Sequence, residues 1–291
     1  MPILLQSSLS ETLYQTSSRF LMEILQNADD CSYHDPNPTI EMTYRHGRLR
    51  IDYNEVGFTE ADVEAICRLS STKMASLNQT GEKGIGFKSV FKMSPQVWVL
   101  SGHYSFKFDA KRKLGAITPE WEPNPVQHRP GFTSIILPIP EEKKQRELVE
   151  DLKRIGSKHV VFLRRLRHIK ITVSDGSTWE TGINRRDDTK TATATATTAS
   201  PSNGLRRTIV TSSHDGQTLE YWIYSHVIKN RTQEPRRPHR TESVMTLAFP
   251  VRGGANPEPL VERQDVYAVL PIRDYDFRVS LSNTHAYRTP D

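Results

Sequence analysis

Between Glu11 and about Asp30, the residues Leu13, Phe20, Leu21, Ile24 and Leu25 recur near helical spacing and predict a long N-terminal helix. The stretch "TIEMTYRHGRLRIDY" then alternates apolar and polar positions on either side of His46-Gly47, the pattern of a β-hairpin. Thr59 stands where it can cap "EADVEAICRL", with Asp62 three residues on as a capping-box variant, so a short helix is expected there. The next stretch, "SSTKMASLNQTGEKG", is polar and has no period, which predicts a mobile loop. A helix opening on glycine is expected over "GIGFKSVFKM", strands over "QVWVLSG", "YSFKFDA" and "FTSIILPI", and an amphipathic helix over "EEKKQRELVEDLKRIG".

Helices, strands and hairpins mixed in this order predict an α+β fold, with helices covering one face of a largely antiparallel sheet. The regular alternation of a doubly wound parallel sheet is absent. Beyond about residue 157 a second, strand-rich region begins with "HVVFLRRLRHIKITVSDGSTWETG". The expected domains are therefore 1–156 and 157–291. Low-complexity "KTATATATTASPSNG" predicts a disordered insertion over 188–205. No internal repeat is evident.

The chain has 291 residues, 36% hydrophobic and 25% charged, and no apolar run near the roughly 18 residues a membrane helix needs. No secretory signal pattern opens the N-terminus, and only Cys31 and Cys67 are present, so an intracellular protein with two reduced thiols is expected, without choosing nucleus or cytoplasm. The net charge of +5 is uneven: up to Pro140 there are 14 Lys and Arg against 15 Asp and Glu, and the excess lies beyond. Its densest part, "KNRTQEPRRPHR", can touch phosphate or an acidic partner, yet no aromatic residue interleaves for base stacking, which makes a solvated, Pro-broken loop the favoured reading.

Three short stretches carry the candidate chemistry. In "MEILQNADD" the residues Glu23, Asn27 and Asp30 form a polar line one turn apart. Asn27 supplies a neutral oxygen suited to magnesium, and Glu23 could orient or deprotonate a water for attack on phosphorus. In "TGEKGIGFKSVF", Gly81, Gly84 and Gly86 lead into a helix, where free backbone N–H groups favour an anion. The third, Asn54-Glu55-Val56-Gly57-Phe58, ends a strand in a polar turn that can present an amide or carboxylate edge to a base, with Gly57 leaving room for a flat ring. Lys73, Lys83 and Lys88 read as lid or surface lysines. His159 and His168 read as ordinary buried or half-buried histidines. No Gly-x-Ser-x-Gly elbow or nucleophile triad occurs.

"FLMEILQNADD", "NEVGF" with "TEADV", and "GEKGIGFKSVF" resemble the N, G1 and G2 boxes of the gyrase, heat-shock chaperone, histidine kinase and MutL ATPase superfamily (GHKL), within it most of all the sacsin/NO VEIN-like branch. The resemblance spans about residues 8 to 140, and "FLRRLRHIKI" and "VYAVLPIRDYDF" more loosely. It implies a two-layer α/β sandwich, the Bergerat ATP-binding fold. It also implies Glu23 as the water-activating acid, Asn27 as the magnesium ligand and Asp30 as the acid completing the N box. Gly81, Gly84, Ile85 and Gly86 would wrap the phosphates at the end of a lid over 69–83, with Phe87 beneath it. Thr133 would stand for the small hydroxyl residue near the adenine. The G1 box departs from the usual D-x-G-x-G, with Asn54 three residues before Gly57. An Asn carbonyl can accept the adenine hydrogen bond without the charge, and Asp52 is another candidate. The C-terminal "RVSLSNTHAYRTPD" replaces an expected apolar strand, as in a truncated or alternatively spliced form.

The expected function is therefore an ATP-binding module with slow magnesium-dependent hydrolysis driving lid closure. The alternative is a non-catalytic interaction protein that keeps a degenerate nucleotide-binding fold. Beyond ATP and Mg2+, a protein partner or client is expected, nucleic acid is a weaker candidate, no membrane is expected, and the oligomeric state is undefined.

Overall fold

The computed structural model describes residues 16–67, 87–121, 128–187, 204–212, 218–229, 242–252, 258–260, 264–268, 270–277 and 280–284. The chain divides into two units, Met1–Ile155 with Arg164–Glu180, and Gly156–Leu163 with Thr181–Asp291. Mixed sheets with few helices make it an α+β protein.

In the first unit, α1 (Thr16–Asp30) precedes a hairpin of β1 (Thr39–Arg45) and β2 (Arg48–Tyr53). Its two-residue turn puts His46 at φ 50 and Gly47 at φ 67, the left-handed pair whose twist matches that of the flanking strands. Helix α2 (Glu60–Cys67) opens on the expected reciprocal cap: the Thr59 N–H donates to Asp62 at 3.0 Å, and the Asp62 N–H donates to Thr59 Oγ1 at 3.3 Å. Where a helix was expected over "GIGFKSVFKM", the described part is a 3₁₀ helix, Phe87–Lys92. Strands β3 (Gln96–Ser101), β4 (Tyr104–Asp109), β5 (Glu120–Trp121) and β6 (Thr133–Pro138) come next, then α3 (Glu142–Arg154) and β7 (His168–Thr172).

The strands lie in the order β7-β1-β2-β6-β3-β4-β5, antiparallel except for the β1–β7 pair. Alternation sends Ile40, Met42, Ile51, Val97, Val99, Phe106, Phe108, Ile135, Leu137, Ile169 and Ile171 to one face, where all are buried. The helices supply Phe20, Leu21, Ile24, Leu25, Leu148 and Leu152 to the core, and α1 packs against the 3₁₀ helix and α3. The opposite sheet face carries charge: Arg129 pairs with Glu41 at 2.9 Å, and Arg50 pairs with Asp52 at 2.8 Å.

Lys88 is not the surface lysine its sequence setting suggests. Its Nζ donates to the carbonyls of Ile66 at 2.7 Å and Ala116 at 2.6 Å, and lies 4.9 Å from the Phe108 ring centre. Burial pushes its ammonium below the ordinary 10.5. Lys73, Lys83 and the expected lid over 69–83 lie outside the described residues.

In the second unit, α4 (Ser157–Val160) is accompanied by β8 (Thr178–Asp187), which begins in the first unit, and by β9 (Gly204–Ser212), β10 (Thr218–Lys229), β11 (Glu242–Arg252), β12 (Glu258–Pro259), β13 (Gln264–Ala268), β14 (Leu270–Phe277) and β15 (Ser280–Thr284). The order is β8-β9-β10-β11-β15-β13-β14, with β12 on β11. Of the expected insertion, residues 188–203 lie outside the described residues, and Gly204 and Leu205 stand in β9.

The C-terminal end of α1 carries Asp29 and Asp30, the sign of charge a helix dipole disfavours there. The residues after Leu163 resolve this. Asp29, 1% exposed, accepts backbone N–H bonds from Arg164 at 2.7 Å, Arg165 at 2.8 Å and Leu166 at 2.9 Å. Asp30 pairs with the Arg164 guanidinium. Arg165 Nη1 donates to the carbonyls of Asp30 at 3.1 Å and Cys31 at 2.5 Å, and Tyr33 Oη to that of Ala28 at 2.6 Å, so the helix end finds its partners in side chains. Replacing Asp29 by Ala strands three backbone donors, each costing about 1 to 3 kcal/mol. Urea unfolding of Asp29→Ala should show the first unit losing about 3 kcal/mol or more, and Asp29→Asn less, because it keeps one acceptor. A loss under about 1 kcal/mol in the Ala variant would show that the carboxylate is dispensable.

Candidate functional site

The C-terminal end of α1 and one end of the sheet meet at the Asn54–Phe58 turn. The Val56 N–H donates to the Ser32 carbonyl at 3.0 Å, tying the turn to the chain just past α1. Gly57 adopts φ 94, a left-handed conformation that a side chain would strain. The Phe58 N–H donates to Ser101 Oγ at 2.7 Å, at the end of β3.

Inside the turn lies a buried polar cluster. Glu55, 9% exposed, accepts a short hydrogen bond from Thr133 Oγ1 at the start of β6. Ser101 Oγ lies 3.5 Å from the same carboxylate oxygen and 2.5 Å from Thr133 Oγ1; both hydroxyl residues are fully buried. Burial pushes the Glu55 carboxyl above its ordinary 4.5, against the Thr133 hydroxyl and the Gly57 N–H, which hold it down, while the neighbouring Asp62 charge raises it. Tyr33 and Tyr53 stand near, their hydroxyls pushed well above 10.0 by burial and then by surrounding negative groups, Glu55 among them. The arrangement presents a carboxyl edge backed by two hydroxyls in a low-dielectric setting, suited to a donor such as an exocyclic amine.

The expected site residues fall in different surroundings. Glu23 and Asn27 are half-buried on α1, and among the described residues neither side chain hydrogen-bonds another side chain. The backbone carbonyl of Asn27 accepts from Cys31 Sγ at 3.2 Å. Asp30 is engaged by Arg164. Phe87 is buried in the 3₁₀ helix that packs on α1. Thr133 faces Glu55. Asn54 does not: its Oδ1 accepts from the Thr39 N–H at 2.7 Å and its Nδ2 donates to the Asn37 carbonyl at 3.3 Å, so its carboxamide ties the start of β1. Asp52 lies on the other sheet face, paired with Arg50 and bonded by Ser134 Oγ at 2.5 Å. Gly81, Gly84, Ile85 and Gly86 lie outside the described residues. Among the described residues no cluster of three or more His, Cys, Asp or Glu has metal-binding geometry, and no helix is long and apolar enough to cross a membrane.

Glu55, which the sequence reading placed in this turn without giving it a role apart from Asn54, is the carboxylate buried there. Its signal was present: it stands two residues before Gly57, the acid-x-Gly spacing that Asn54 lacks.

No protein-family model matches the chain. Over 114 residues it is 39% identical to Protein NO VEIN of Arabidopsis thaliana. That stretch is 38% of this chain and 4% of that protein, so the chain spans a small part of the relative it matches. A NO VEIN-like relationship over part of the chain is therefore supported, and the activity of the longer protein is a separate matter.

A carboxyl pKa raised in the folded state makes stability depend on pH. Protonated Glu55 contributes stability that is fully present below its unfolded pKa and is lost as pH rises through the folded value. Glu55→Gln keeps an acceptor for Thr133 but cannot ionise. Its thermal midpoint should therefore gain on wild type as pH rises from about 4 towards 7; curves that stay parallel would show that burial does not perturb Glu55.

Proposed function

We propose that the first unit is an ATP-binding module of the Bergerat type, a two-layer α/β sandwich of the GHKL superfamily, with slow magnesium-dependent hydrolysis. The observation that carries this reading is the buried Glu55–Thr133–Ser101 cluster, joined through Ser32 and Val56 to the helix that bears Glu23 and Asn27. The partial similarity to Protein NO VEIN supports the branch assignment.

In this reading Glu55, rather than Asn54, accepts the adenine amino hydrogen, and Thr133 fixes the carboxylate that does so. Gly57 keeps the turn flat enough for the base. The amides of Gly81, Gly84, Ile85 and Gly86 receive the phosphates, just before the 3₁₀ helix that opens on the buried Phe87 and packs on α1. Asn27 offers one neutral oxygen with Glu23 a turn away, a donor set that fits a cation taking few protein ligands and keeping its waters. Magnesium, when bound, would neutralise phosphate charge. Glu23 orients a water and accepts its proton as the water oxygen attacks the terminal phosphorus, while the bond to the bridging oxygen breaks and ADP leaves with the electron pair. Asp29 and Asp30 hold the end of α1 in place through the 164–166 amides and the Arg164 guanidinium.

Two measurements test the reading. Magnesium-ATP in about 100-fold excess over its Kd should stabilise the protein by about 2.7 kcal/mol in a thermal-shift titration. Phosphate release should fall by about 100-fold or more in Glu23→Ala while that stabilisation persists, and Asn27→Ala should lose its magnesium-dependent part. Equal phosphate release from wild type and Glu23→Ala would remove Glu23 as the base. No stabilisation at millimolar nucleotide would remove the nucleotide.

A further inference from the structure

At the end of the first unit's sheet opposite Glu55, a cavity of about 420 Å³ opens between the hairpin turn, the end of β6 and the first turn of α3. Its size falls in the range of ligand pockets, roughly 300 to 1,000 Å³. Pro95, Pro138 and Pro140 form its walls over Ile139, and His46 and Lys111 stand exposed at its rim. The walls are fixed: Ser94 Oγ bonds the carbonyls of Gln96 at 2.6 Å and Pro138 at 2.5 Å, the Ile139 N–H donates to the Gly47 carbonyl at 2.7 Å, and Gln145 Nε2 donates to the Ile139 carbonyl at 2.8 Å.

Cations extend from this rim. In the strand register Pro138 lies beside Arg48, and Arg48 directly opposite Arg45. Both arginines are exposed, and among the described residues neither has an acidic partner. Like charges directly opposite in a ladder oppose folding, so this pair is unfavourable unless something anionic meets it. Among the described residues the nearby acids have partners of their own: Asp109 accepts from Gln96 Nε2 and the Lys111 N–H, Asp175 from the Ser177 N–H, Glu141 pairs with Lys144, and the exposed Glu142 lies 3.9 Å from Arg146.

The spacing distinguishes ligands. Lys111 comes after β4 and Arg48 lies on β2, three strand intervals apart in the order β2-β6-β3-β4, or about 14 Å. A single phosphate cannot bridge that distance. Four residues of extended peptide, at about 3.4 Å each, can. Among the described residues no Phe, Tyr or Trp lines the cavity to stack a base, whereas a rigid wall of prolines suits a bulky aromatic anchor.

We infer that this end of the first unit docks an acidic peptide segment, whose carboxylates meet Arg45, Arg48 and Lys111 while an aromatic side chain enters the proline-walled cavity. The test is fluorescence polarisation of the full chain with fluorescein-labelled DEDWDED peptide, with its Trp→Ala counterpart, and with a ten-nucleotide single-stranded DNA. Wild type should bind DEDWDED saturably, the Ala peptide at least fivefold more weakly, and the DNA more weakly than either. The double variant Arg45→Glu with Arg48→Glu, and separately Lys111→Glu, should each weaken DEDWDED at least tenfold, with an unchanged or raised thermal midpoint in Arg45→Glu alone. The magnesium-ATP thermal shift should be the same in all variants, which separates this site from the nucleotide pocket. Absence of saturable binding at millimolar peptide, binding untouched by the charge reversals, or DNA binding tighter than the peptide and lost in the same variants would each overturn the assignment.

Discussion

The first unit depends on a carboxylate placed at the wrong end of a helix. In α3 the charges run as the dipole prefers, Glu142 in the first turn and Lys153 and Arg154 in the last. In α1 they are reversed: no acid in the first turn, Asp29 and Asp30 in the last. Isolated, that end would be weakened twice, by repulsion and by unpaired carbonyls. The 164–167 segment removes both defects, with three backbone amides on Asp29 and two guanidiniums on Asp30 and the terminal carbonyls. A buried carboxylate held by three N–H donors, with the Arg164 Nε a further 3.8 Å away, is strongly held because the low-dielectric setting admits little water to compete.

The chain beyond α1 inherits this fixed point. Ser32 holds Val56, the Asn54–Phe58 turn holds Ser101, and Glu55 closes the circuit to Thr133. A chain of short-range bonds thus sets the half-buried Glu23–Asn27 face of α1 in fixed relation to the sheet end where Glu55 lies. Lys88 plays a similar part nearby, its ammonium spent on the carbonyls of Ile66 and Ala116 rather than on solvent or phosphate.

Local signals were legible. The His46-Gly47 hairpin, the Thr59–Asp62 cap, the stripe of α1 from Phe20 on and the strand alternation each depend on residues within a few positions, and each appears in the fold as the sequence predicts. Residues 11–15 of the expected helix, Leu13 among them, lie outside the described residues. Partnerships across the chain were not. Asp29 and Leu166 are 137 positions apart, and nothing local to "NADD" names the amides that will meet it. In the Asn54–Phe58 turn the sequence left an amide and a carboxylate side by side, and only the partners brought in from β1 and β6 separate them: Asn54 bonds the Thr39 N–H, while Glu55 bonds Thr133. Lys88 looked solvated because a lone lysine beside glycines usually is; its burial arises from Phe87, Phe91 and Phe108 closing around it. The glycine run itself lies outside the described residues, so the part proposed for it in holding phosphate rests on sequence.

On the proposed reading nucleotide binds against the end of α1 and the Glu55 turn, which the buried start of β6 and end of β3 back from behind. Amide hydrogen exchange of the full chain, with and without magnesium-ATP, tests it directly. Protection should rise together over residues 23–32, 54–58, 99–101 and 133, and stay unchanged at the His46 hairpin. Protection confined to other segments, or none under saturating nucleotide, would contradict the account.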